Sequence, residues 1–129
     1  MNTRILMTAS ALLMGVTGIA FSFLPHEILN YLNSFPGGVL DALILQLLGA
    51  LYFAFAMVNW TAKGNLIGGI YARPVAVGNL THFAIGALAL IKGYSSSQEV
   101  LILILSLVYA LFAVLFAIII FTHPVKDKG

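Results

Sequence analysis

Asn79 and His82 are the residues of this sequence best placed to do chemistry. They stand three apart in an otherwise apolar run, so on a helix they share one face. An imidazole, with an unperturbed pKa of about 6.5, is the natural proton switch or ligand-binding group near neutral pH. Asn79 is its candidate orienting partner. Gly78 and Gly86 lie close to the same stripe and would let a neighbouring backbone approach. A second polar set, Gln46, Tyr52 and Asn59, occupies another apolar run, where Tyr52 and Asn59 are seven apart on one face. If the two runs are antiparallel helices, His82 lies about 13 Å from the end of its helix and Tyr52 at a similar depth. An Asn59–Asn79 hydrogen bond with a Tyr52–His82 contact above it would then satisfy all four groups.

Three uses of this cluster stay open. It could simply pin two helices together, since interhelical hydrogen bonds in membranes are worth about 0.6–2 kcal/mol and specify packing. His82 could titrate or bind a ligand. Haem or metal ligation would demand a homodimer or another subunit, because one such histidine per chain cannot supply two axial ligands. The remaining stock is small. There is no cysteine, which excludes thiol catalysis, disulfides, Cys-ligated zinc and Fe–S clusters. The four acids, Glu27, Asp41, Glu99 and Asp127, and the other histidines, His26 and His123, all fall near or outside the ends of the apolar runs. Further polar side chains within the runs are Ser106, Tyr109 and the hydroxyls of Thr8, Ser10 and Thr17. No catalytic residue, metal site or cofactor is expected from this set.

The elements that must position these groups are set by composition. Of 129 residues, 61% are hydrophobic and 8% charged, against roughly 25% charged in a soluble domain. Mean hydropathy is +1.06. A chain this short would leave much of that apolar surface in water, so lipid is the solvent that fits it. Four apolar stretches, at about 5–24, 40–61, 74–92 and 99–122, each approach the ~20 residues a helix needs to cross a ~30 Å hydrocarbon core. They lack the alternation of barrel strands, so helices are the way to satisfy the backbone in lipid. The fold class read from this is all-α, a single four-helix transmembrane domain forming an integral membrane bundle. The first stretch is longer than the ~7–15-residue apolar core of a secretory signal and reads as a retained anchor. Gly15 with Ala11, and Gly18 with Ser22, are small-xxx-small pairs of the kind that mark packing faces. The fourth stretch, apart from Ser106 and Tyr109, reads as mostly lipid-facing.

The pI of about 9.1 rests on six basic residues, whose placement is a topology signal rather than a nucleic-acid footprint. Arg4, Lys63, Arg73, Lys126 and Lys128 fall on one side and Lys92 alone on the other. Both termini and the 62–73 connection are therefore expected in the cytoplasm, in a bacterial inner (plasma) membrane. Between the first two spans, Ile28, Leu29, Leu32 and Phe35 form one stripe after Pro25, and Pro36-Gly37-Gly38 ends it. That pattern predicts a short amphipathic helix in the outer interface. The glycine-rich 62–73 connection lacks the strand and GK[ST] ending of a phosphate loop, and its Leu66, Ile67, Ile70 and Tyr71 could dip into the interface. Gly93-Tyr-Ser-Ser-Ser-Gln98 reads as a short polar turn joining antiparallel neighbours, with Trp60 and Tyr94 as interface anchors.

The run Leu48-Gly-Ala-Leu…Asn59-Trp…Tyr71…Gly78-Asn79…His82-Phe83 resembles the middle of the small four-helix membrane scaffold proteins of sterol biosynthesis and related bacterial families. The likeness covers about a quarter of the chain. It implies a non-enzymatic tether for other membrane proteins. Small multidrug transporters share only the size, because no acid lies in the interior of any apolar run here, Asp41 and Glu99 standing at the ends of theirs. The expected function is therefore a scaffold or accessory subunit in the lipid bilayer, alone, as a homo-oligomer or with another membrane protein. The alternative is an oligomeric small-solute transporter or lipid-handling protein built around Asn59, Asn79 and His82.

Overall fold

A computed structural model describes residues 2–32, 38–65 and 72–122. Five helices follow in order: α1 (Thr3–Phe23), α2 (Pro25–Leu32), α3 (Val39–Ala62), α4 (Arg73–Ser97) and α5 (Val100–Thr122). All but α2 are long and apolar enough to cross a membrane, at 21, 24, 25 and 23 residues. At 1.5 Å per residue each exceeds the ~30 Å of a hydrocarbon core. The chain is an all-α integral membrane protein. It divides into two compact units, Ile5–Lys63 with α1, α2 and α3, and a second containing α4 and α5.

In the first unit α1 and α3 run antiparallel. Ser10 meets Asn59, Gly15 lies beside Ala56, Gly18 touches Gly49 and Phe53, and Ser22 meets Gln46, so the contacts run in opposite senses along the two helices. The pairing is close because both helices lack a side chain where they cross. A Cβ on Gly18 would stand 2.6 Å from the Phe53 amide nitrogen and 2.8 Å from the Gly49 carbonyl oxygen. The small pairs of α1 thus mark a packing face within this unit, and Gly49 supplies the matching gap.

Pro25 starts α2 and is buried. Proline has no amide hydrogen to lose at that position, and Glu27 in the first turn faces the positive end of the helix dipole. Leu29 lines an open pocket together with Asp41, Ile44, Leu45 and Leu48 of α3. Ile28 and Leu29 are half-buried, whereas Leu32 is exposed, so the burying edge of the expected stripe is narrower than its sequence pattern. Phe35, the fourth member of the stripe, lies outside the described residues. So do Pro36 and Gly37, residues 66, 67, 70 and 71 of the second connection, and Lys126 and Lys128. At the start of α3, the Gly38 amide donates to Asp41 Oδ2 at 2.9 Å, satisfying one orphan donor of the helix end. At its far end, Lys63 Nζ lies 2.9 Å from the centroid of the Trp60 ring, a cation–π contact at the expected boundary of the span.

In the second unit α4 and α5 form a helical hairpin. The polar turn expected over Gly93–Gln98 is helical instead: α4 continues through Ser97. Its end is made by Gln98, which adopts a left-handed φ of 57° and donates its amide to the Tyr94 carbonyl at 2.8 Å. Gln98 Nε2 donates to the Tyr94 and Ser95 carbonyls, each at 3.3 Å, and Ser97 Oγ accepts the Glu99 amide at 3.3 Å. Leaving the hydrocarbon removes the need for apolar residues but not the capacity for helix, so a serine run that ends a hydrophobic stretch need not end the helix carrying it. On α5, Ser106 and Tyr109 are buried as expected. Phe116 and Ile119 are buried with them, so the helix is less lipid-facing than its uniform composition implies.

Candidate functional site

Each of the five candidate residues has a definite place. Asn59 is fully buried, and its Nδ2 donates to Ser10 Oγ at 3.0 Å and lies 3.9 Å from Met14 Sδ. Ser10, also fully buried, passes its own hydroxyl hydrogen to the Met7 carbonyl at 3.0 Å. The result is a relay of hydrogen bonds from α3 through a side chain of α1 into the α1 backbone. Tyr52 is half-buried and meets the Phe21 ring edge-on, with centroids 5.8 Å apart. Gln46 is exposed, and its Nε2 donates to the Ser22 carbonyl at 3.4 Å.

In the second unit, Asn79 is fully buried and its Nδ2 donates to the Val75 carbonyl at 2.9 Å, one turn back on the same helix. His82 is half-buried against Phe83 and Tyr109, at centroid distances of 5.0 and 5.5 Å. Phe83 is the hub. It is fully buried, sits edge-on to Tyr109 at 5.1 Å, and stacks on Phe112 at 4.8 Å and Phe116 at 5.9 Å. Gly86, one turn further on, makes room for the Tyr109 ring, whose Cδ1 and Cε1 would each lie 2.6 Å from a Cβ placed there. The two halves of the expected cluster therefore belong to different units: Tyr52 and Asn59 with α1, Asn79 and His82 with α5.

No family model, curated protein or solved structure matches the chain. Its chemistry therefore rests on the residues themselves. Among the described residues, no three His, Asp or Glu side chains gather in a way that would hold a metal ion. What the geometry provides is amide-to-hydroxyl bonding inside one unit and an imidazole within an aromatic cluster inside the other.

Sequence reasoning names Ser10 and Phe83 but assigns neither to the site. Ser10 looked like one hydroxyl among several on α1, and serine commonly bonds back to its own helix. The aromatic hub did leave a trace: Tyr109, Phe112 and Phe116 are spaced i, i+3 and i+7, a single helical stripe next to the His82-Phe83 pair.

The Asn59–Ser10 bond can be weighed directly. In a double-mutant cycle of Asn59→Ala and Ser10→Ala, read by reversible unfolding in mixed micelles, the coupling is expected at about 0.6 kcal/mol and below about 2. Additive losses would mean that the contact contributes nothing beyond its two side chains separately.

Proposed function

We propose that this protein is a small non-catalytic scaffold or accessory subunit of the membrane, holding other membrane proteins together. The observation that carries this reading is the relay from Asn59 through Ser10 to the Met7 carbonyl. A fully buried amide is costly in lipid and is the first place to look for a transport or catalytic group. Here its donors go into fastening α3 to α1. Asn79 likewise spends a donor on its own helix. The resemblance of the central segment to the four-helix scaffold proteins of sterol biosynthesis agrees with this reading.

A second reading, an oligomeric small-solute transporter or lipid-handling protein, draws on His82, which is half-buried inside a span rather than fully enclosed. One pair of variants separates the two. If the scaffold reading holds, His82→Ala and Asn79→Ala lower the thermal midpoint but leave co-purifying membrane proteins in place, with no change in proton leak across proteoliposomes. Variants that assemble normally yet lose a measurable flux would overturn it in favour of transport. Native mass spectrometry gives an independent check: a homo-oligomer carrying a defined small molecule other than a bilayer lipid contradicts the scaffold reading.

The proposed setting is the bacterial inner membrane with both termini in the cytoplasm, supported by five of the six basic residues falling on one side. In intact cells, a single cysteine at Gly64 is expected to resist a membrane-impermeant maleimide, and one at Ser96 to react. The reverse pattern would invert the topology.

A further inference from the structure

Beside the crossing of α1 and α3 runs a groove of about 540 Å³, contained within the first unit. That volume falls in the range of about 300–1,000 Å³ typical of small-molecule sites. The lining is almost wholly apolar, with Ile19, Phe23 and Phe53 as bulky walls and Gly18, Ala50 and Ala54 leaving the space between them. The groove is open, since Ile19 is 50%, Phe23 77% and Phe53 40% exposed. In a membrane-spanning protein that opening meets hydrocarbon.

One end of the groove is polar. On α3, Gln46 precedes Ala50, Phe53 and Ala54 by four, seven and eight residues, the spacing of a single helical face. Gln46 therefore heads the α3 wall, and Ser22, whose carbonyl it bonds at 3.4 Å, lines the groove opposite. A primary amide has two N–H donors and an acceptor oxygen. Among the described residues this one makes a single long bond, although it is exposed on a span where such a group is expensive. It stands about 10 Å along α3 from Val39, and helical side chains lean towards the N-terminus, so its head reaches up towards the interface.

We propose that this groove is a lipid site: it holds one acyl chain of an ester-linked membrane lipid, and Gln46 donates its second N–H to the ester carbonyl. The three features fit one ligand. The apolar channel takes the chain, its opening faces the bilayer that supplies the lipid, and the amide sits at the end nearest the interface, where the ester group of a chain lying in the channel would be.

The test compares ester-linked dioleoyl phosphatidylethanolamine with its ether-linked analogue, which lacks the carbonyl, by lipid retained in native mass spectra. The wild type should retain the ester lipid roughly five-fold better, the factor one ordinary hydrogen bond supplies. Gln46→Leu should erase the preference. That variant changes an exposed side chain, so loss of folding is not the expected outcome. In parallel, a lipid with a diazirine on its chain, in vesicles of dioleoyl phosphatidylethanolamine and phosphatidylglycerol, should label Phe53, Ala54 and Ile19. Ala54→Trp should suppress that labelling. Equal retention of the two lipids, labelling spread evenly to exposed residues such as Leu107 and Leu111 of α5, or an Ala54→Cys disulfide joining two copies across the groove would each overturn the proposal.

Discussion

Replacing Phe83 with alanine is expected to destabilise the α4–α5 hairpin more than any other single truncation in it. The ring is fully buried and touches Tyr109, Phe112 and Phe116 on the facing helix, at centroid distances of 5.1, 4.8 and 5.9 Å. Removing it leaves a void bordered by three aromatic rings, and Phe→Ala in soluble cores costs about 3–5 kcal/mol. In a bilayer the separated helices meet lipid rather than water, so the transfer part of that cost shrinks and the lost dispersion contacts remain. The expected loss is therefore near the lower end, about 3 kcal/mol. Steric-trap unfolding of the wild type and the variant measures it, read from the binding isotherm of the trap. Phe112→Ala, at a half-buried position, should cost less. A Phe83→Ala loss no larger than that of Phe112→Ala would show that the cluster has no hub.

Gly18→Ala should separate α1 from α3. The added methyl carbon would lie 2.6 Å from the Phe53 amide nitrogen, 2.8 Å from the Gly49 carbonyl oxygen and 3.0 Å from Phe53 Cα, all backbone atoms that no rotamer change can move aside. Relief requires the helices to part, and overpacking of this kind costs about 1–3 kcal/mol. Parting them also stretches the Asn59–Ser10 bond, so the loss should reach the upper half of that range. Two other glycines provide an internal scale. At Gly15 the new carbon would meet Ala56 Cβ at 3.6 Å, an ordinary contact. Gly15→Ala should thus be neutral, or stabilising by up to about 1 kcal/mol through helix propensity. At Gly86 the obstacle is the Tyr109 side chain at 2.6 Å, which can swing, so an intermediate effect is expected. Thermal midpoints of the three variants in one detergent should rank Gly15, Gly86, Gly18 from least to most damaged. Equal midpoints for Gly15→Ala and Gly18→Ala would refute the close crossing.

The sequence by itself determined that the chain is all-α, that four helices are long enough to cross a bilayer, and that a short helix follows Pro25. The reason is that hydrocarbon thickness and backbone satisfaction leave few alternatives for a chain so apolar. Helix ends are less constrained. α4 outruns its apolar stretch because Gln98 caps it with a left-handed turn, and membrane polarity carries no information about that turn. Asn59 and Asn79 stand within apolar runs of the sequence, and both are fully buried. The bond from Asn59 to Ser10 within the first unit was not legible there. An amide at a given depth can bond to any neighbouring helix that brings a polar group to the same level. That choice depends on how near two backbones come. Gly18 and Gly49 let α1 and α3 approach until Ser10 Oγ stands 3.0 Å from Asn59 Nδ2. The same holds for Phe83, whose composition fits lipid and core equally well in an apolar helix. Only packing against Tyr109, Phe112 and Phe116 makes it the centre of its unit.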